Sequence, residues 1–365
     1  EQIKDLKKGY LSLVVRKVVD LVIAHNAIIV MEDLNMRFKQ IRGGIEQSVY
    51  QQFEKALIDK LSFLVNKGEK DPESAGYLLR AYQLAAPFES FQKMGKQTGI
   101  IFYTTASYTS KIDPLTGWRP NIYLKYSNQE KAKKDIAKFK NIVFDSVKNR
   151  FEFTYDLADF YNKKGKIEFP QKREWTVCSN VERYAWDKRL SGNKGGYTHY
   201  PDLTDGKAEN MFKENAISNF KNLFESVGID IRGDIQAQIA QLDTKDNKQF
   251  FSTFMYLFRL ILQIRNTNSN ETTGSDDNDY LQSPVEPFFD TRRSADFAEG
   301  LPQNGDENGA YNIARKGIFI LDRLSEFENL TDNEKKKLKY PDILVRNVEW
   351  DAFATESKMF LSSIR

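Results

Sequence analysis

The run from Ala27 to Met31 (Ala-Ile-Ile-Val-Met) constrains the fold more than any other feature of the chain. It is continuous rather than alternating, rich in Ile and Val, and too short to be a helix. Those properties predict a buried strand. The flanks agree. Gly9 to His25 places Leu11, Val14, Val15, Val18 and Val22 at amphipathic-helix spacing, and Asn26 interrupts the pattern. A second long helix is predicted from about Ile45 to Lys67, with Val49, Phe53, Leu57, Leu61 and Leu64 on one face, followed by a strand at Ile100 to Thr105.

From about Ser107 the pattern changes. Ser110 to Pro120 is turn-rich, and Val143 to Tyr155 alternates as a hairpin does, with Phe151, Phe153 and Tyr155 on one side. Helices are predicted at Lys207 to Ser226 and at Lys248 to Arg265; the second is apolar almost all round and should be buried. Asn266 to Asp279 reads as a polar, acidic loop, and a last helix begins near Asn308 with Ile313, Ile318, Leu321 and Leu324. The expected organisation is a terminal domain built from residues 1–106 and 302–365, interrupted by a mixed α+β domain at 107–301.

With 365 residues the chain can hold two cores. Its 26 Phe and 17 Tyr suit packing and base stacking alike, and composition does not separate those uses. A net charge of +3 places any nucleic-acid contact in local patches, such as Lys131 to Lys140 or Lys163 to Arg173, each of which a solvated helix face or loop explains more simply when taken alone. One cysteine, Cys178, excludes an internal disulfide and a cysteine-paired zinc ribbon, and fits a cytoplasmic compartment. Two histidines, His25 and His199, leave little for a histidine-based centre, so carboxylates are the expected chemical agents. The longest apolar stretch, Phe250 to Ile264, is too short and too polar to cross a membrane.

Two acids stand out. Glu32 ends the predicted strand, where α/β sheets place their sites, although an ordinary solvent-facing acid would look the same; its neighbour Asp33 should point the other way. Asp306 precedes the last helix, where a simple N-cap is the plainer explanation. Together they gain meaning, because a nuclease needs oxygen ligands that hold Mg²⁺ and leave room for water and phosphate. RNase H-like sites take one acid from a first strand, one from a later strand and one from a helix. Nothing before Gly9 reads as a strand, so the first acid is expected to lie outside this chain.

At these residues the chain resembles a known family. Ile-Val-Met-Glu-Asp-Leu-Asn (29–35) is similar to the second RuvC motif of type V-A CRISPR effectors, the Cas-twelve-a family, and Asp-Glu-Asn-Gly-Ala-Tyr (306–311) to the third. The segments at 86–91, 94–99, 109–117, 262–266 and 283–285 match in order between them. The resemblance implies an α/β RNase H-like (RuvC) domain, incomplete at its N-terminus, with an inserted α+β Nuc domain. It implies Glu32 and Asp306 as catalytic metal ligands, Arg265 as an arginine needed for cleavage, and Asp279 as a supporting polar position after a longer loop than usual. Asn304 stands where the family often has an extra acid, and Met31 where an aromatic is common.

The implied parent is a monomeric, prokaryotic, cytoplasmic enzyme. It would use Mg²⁺ or Mn²⁺ and a CRISPR RNA, held by a part outside this chain, to cut both strands of target DNA. Two other readings are a transposon-type RNase H-like nuclease, which often carries a zinc ribbon that one cysteine cannot build, and a nucleic-acid-binding lobe with an incomplete site. Lacking the first acid, the isolated chain is expected to bind metal weakly and to cut DNA poorly or not at all.

Overall fold

A computed structural model describes residues 2–25, 27–32, 44–62, 101–105, 107–161, 172–181, 184–187, 196–199, 208–266, 280–293, 300–335, 337 and 345–356. The elements begin with α1 (Gln2–His25), β1 (Ile29–Glu32), α2 (Gly44–Ser62), β2 (Ile101–Thr104), α3 (Gln129–Ile136), β3 (Phe139–Asp145) and β4 (Arg150–Asp156). They continue with β5 (Glu174–Cys178), β6 (Tyr184–Asp187), β7 (Gly196–His199), α4 (Ala208–Glu225), α5 (Ile235–Gln241) and α6 (Lys248–Ile261). The last are β8 (Arg265–Asn266), β9 (Tyr280–Ser283), β10 (Phe289–Asp290), α7 (Gly305–Glu328), α8 (Asp332–Lys335) and α9 (Asn347–Glu356). No described helix is long and apolar enough to cross a membrane.

The chain packs into two compact units, Glu1–Ser107 with Ile313–Arg346, and Tyr108–Asn312 with Asn347–Arg365. In the first, β1 and β2 pair in parallel, with Ile29 opposite Ile101 and Glu32 opposite Thr104. Parallel neighbours require a crossover connection, and α2 lies within it. The expected stripe of α1 is buried in part: Val15 and Val22, with Val19 beside them, pack with Met31, Leu57, Ile58, Leu61 and Ile101, while Leu11, Val14 and Val18 are half-buried. Glu54 is buried among them because the Tyr103 hydroxyl donates to it at 2.6 Å. Lys316, also buried, donates to the carbonyls of Thr105 and Ser107 just after β2.

In the second unit many of the aromatics serve packing. β3, β4 and β5 form an antiparallel sheet, and the inward face of β4 (Phe151, Phe153, Tyr155) meets Phe220 and Phe224 of α4 and Phe254 and Phe258 of α6. Ring centroids lie 4.9–6.2 Å apart in tilted or edge-on pairs such as Phe139–Phe258, Phe151–Phe224 and Phe153–Phe220, the geometry aromatic quadrupoles favour. The β3–β4 turn is set by Asp145, whose carboxylate accepts the Val147 and Lys148 amides, and by Asn149, a residue type that tolerates its φ of 49°.

Several expectations differ from what is observed: the helix expected to begin near Asn308 and to be the last begins at Gly305 and is followed by α8 and α9, and Val49 of α2 is exposed. The helix over 248–265 ends at Ile261, and Arg265 lies in the short strand β8, opposite Leu281 of β9. Residues 347–356 also pack with the second unit rather than with the terminal domain. Arg119 clasps Asp351 through two bonds of 2.7 Å, the Trp350 indole donates to the Tyr108 carbonyl, and Gly117 (φ 70°) lies too close to the Ala354 backbone for any side chain.

Candidate functional site

Glu32 is the last residue of β1, half-buried, in the first unit. Its strand end is tied to α2 by the Tyr50 hydroxyl, which donates to the Glu32 carbonyl at 3.2 Å. Opposite it, Thr104 is buried at the matching end of β2. The carboxylate therefore stands at the carboxyl end of two parallel strands, the position argued from the sequence. Asp33, Asn35 and Asp279 lie outside the described residues, as do the segments at 86–91 and 94–99 and the loop from 267 to 279.

Asp306 lies in the first turn of α7, in the second unit, with its side chain 87% exposed. It is not the helix cap. Asn304 is: its Oδ1 accepts the amides of Asp306 and Glu307 at 3.1 and 2.9 Å, and its carbonyl accepts the Asn308 amide. Glu307 closes the turn by accepting from the Gln303 amide and the Asn304 side chain. The residue standing where the resembling family often has an acid thus orients the turn that carries Asp306.

Arg265 Nη2 donates to Asp306 Oδ1 at 3.1 Å. Arg265 does not end the preceding helix, as predicted, but lies in β8. Its backbone is instead held by the sheet, with the Gln282 amide donating to the neighbouring Ile264 carbonyl at 2.9 Å. Sequence reasoning missed the groups that brace α7. Asn308 and Asn312 are both 0% exposed. The Asn308 amide donates to Ile112 O at 2.7 Å and Asn312 to Thr109 O at 2.9 Å, pinning the helix to the turn-rich segment at 109–117. The available signal was their four-residue spacing, which puts two amides on one helix face.

Carboxylate oxygens are hard donors of the kind Mg²⁺ and Mn²⁺ take, and the exposed Asp306 carboxylate can offer one with little desolvation. A different group meets a purely geometric test. Among the described residues, Glu152, Cys178 and Glu286 bring ligand-type atoms within 4.8 Å of one another. This group does not suit a metal ion. Arg150 Nη2 already donates to both Glu152 and Glu286, and Lys148 Nζ lies 3.5 and 3.6 Å from them. Burial pushes the Cys178 thiol up to about 12, so it stays protonated. Burial also acts to raise Glu286, but Arg150 and Lys148 outweigh it and hold that carboxyl below its ordinary value.

The basic cluster over Lys131 to Lys140 is largely committed locally. Lys133 donates to the Leu242 carbonyl, Lys138 pairs with Asp135 and Lys140 with Glu174. Of the cluster at 163–173, residues 163–171 lie outside the described set, Lys172 stacks 3.9 Å over the Trp175 ring, and Arg173 pairs with Asp156.

Comparison with known families supplies the frame for these residues. The model of the RuvC nuclease domain matches residues 1–359, nearly the whole chain. The parallel β1–β2 pair with its covering helices accords with the RNase H-like α/β class of such domains. A match over nearly the whole chain leads to one assignment: this chain belongs to the RuvC nuclease domain family.

Proposed function

We propose that this chain is the nuclease region of a type V-A CRISPR RNA-guided DNA endonuclease, with residues 107–301 as an inserted Nuc domain. In this reading Glu32 and Asp306 are metal-holding carboxylates that serve the hydrolysis of both target strands. The observation that carries the reading is the pairing of Arg265 with Asp306 at 3.1 Å, across 41 positions of sequence. The family resemblance gives each of them a role in cleavage independently of that contact.

A bound Mg²⁺ or Mn²⁺ would lower the pKa of a coordinated water and neutralise charge at the phosphate. The residues do the rest. Glu32 and Asp306 contribute the oxygen donors, with Asn304 fixing the orientation of the second. Arg265 supplies a planar guanidinium suited to a phosphate oxygen or to the charge that develops on it. CRISPR RNA pairing would supply sequence selection outside these residues.

The test is RNA-guided cleavage of a duplex labelled on both strands, by the full-length enzyme that contains this region, carrying Glu32→Ala or Asp306→Ala. Each is expected to abolish both cuts while leaving target binding intact. Either variant cutting at the parental rate would refute the site assignment. Mg²⁺-independent cutting by the parent would refute the metal reading.

A further inference from the structure

Gly305 opens α7 and is buried, with its φ outside the left-handed region. Backbone freedom therefore does not explain a glycine there. Its neighbour does. A Cβ at this position would overlap the Nε, Cδ and Cζ atoms of Arg265, whose side chain runs across the first turn of the helix to reach Asp306. The Arg265 backbone is held by the pairing of β8 with β9, so only its side chain can give way.

We propose that Gly305 is a positioning residue for the nuclease site. Presenting no side chain, it lets the Arg265 guanidinium rest on Asp306 and hold that carboxylate until Asp306 exchanges the arginine for a divalent ion. The inference rests on the reading of Asp306 as a metal ligand. It follows that Gly305→Ala should move the arginine and spare the fold, since the overlapping atoms belong to a side chain, and helical backbone accepts alanine more readily than glycine.

The experiment titrates the full chain with Mn²⁺ and follows paramagnetic broadening of the Glu307 amide resonance, beside a thermal melt. Gly305→Ala and Arg265→Ala should each raise the apparent Mn²⁺ affinity by about two- to fivefold, the range expected on removing an exposed competing ion pair. The double variant should equal Arg265→Ala alone, because both changes remove the same contact. Parental affinity in Gly305→Ala, or effects of the two changes that multiply, would overturn the proposal. Should Gly305→Ala not fold, the space left by adding Arg265→Ala should restore folding; a double variant that also fails shows that the backbone itself needs the glycine, and the proposal falls. Asp306→Ala separates the two levels. If it broadens Glu307 as the parent does, the metal-site reading fails and takes this inference with it; if it abolishes broadening, only the role of Gly305 remains at issue.

Discussion

Replacing Asn308 by alanine tests whether the helix carrying Asp306 is held by the amide contacts described above. The Ile112 carbonyl would lose a donor at 2.7 Å in a site where Asn308 is 0% exposed. A buried carbonyl left without its partner costs about 1–3 kcal/mol. The bond to Ser110 O, at 3.4 Å, is long and adds little. Asn312 loses the Asn308 side-chain oxygen but keeps the Thr109 and Asn308 carbonyls. The higher helix propensity of alanine returns roughly 0.5 kcal/mol. The expected net loss is therefore about 0.5–2.5 kcal/mol. Asn308→Asp should cost more than alanine, because it sets a buried carboxylate against a carbonyl acceptor. Urea unfolding followed by tryptophan fluorescence reads the relevant part of the molecule, since Trp118, Trp175, Trp186 and Trp350 all belong to the second unit. A loss below about 0.5 kcal/mol for Asn308→Ala, or an Asp variant as stable as the alanine one, would refute the reasoning built on the orphaned carbonyl.

Two further outcomes are expected of the second unit. Cys178 is 1% exposed with its thiol pushed to about 12 by burial, so maleimide labelling at pH 8 should proceed only as fast as the unit opens; rapid labelling of folded protein would contradict this. Burial also raises Asp113 above its ordinary 3.8, more than the bonds it accepts from Thr116, Ser283 and Leu115 lower it. From 3.8 up to the raised folded value the folded state holds more protons than the unfolded one, so this group makes stability fall as pH rises through that window. Asp113→Asn keeps an oxygen for the Leu115 amide, carries no charge, and should flatten that part of the pH–stability curve. Superimposable curves for parent and variant would exclude the assignment.

Much of the local structure was legible because hydropathy period and burial coincide. The alternation at Phe151, Phe153 and Tyr155 is the inward face of β4, and Val15 and Val22 of the expected stripe lie on the packed face of α1. The end of α6 was not legible. Phe250 to Ile264 is largely apolar through the helix end and up to the following strand, so no change of period marks the stop at Ile261. The cap of α7 failed for another reason: Asn304 and Asp306 are both good capping types, and only the hydrogen bonds decide between them.

By itself the sequence determined that a buried strand would present Glu32 at its end and that Asp306 would sit at a helix start, and it left carboxylates rather than histidines or thiols as the expected chemical agents. The tertiary structure alone decided which side chains stand beside Asp306. Arg265 reaches it from 41 residues away, and Asn308 brings its helix against Ile112 from 196 residues away. Such contacts depend on how β8, the segment at 109–117 and α7 pack together. Periodicity and capping propensity act over a few residues and carry no information about partners so distant.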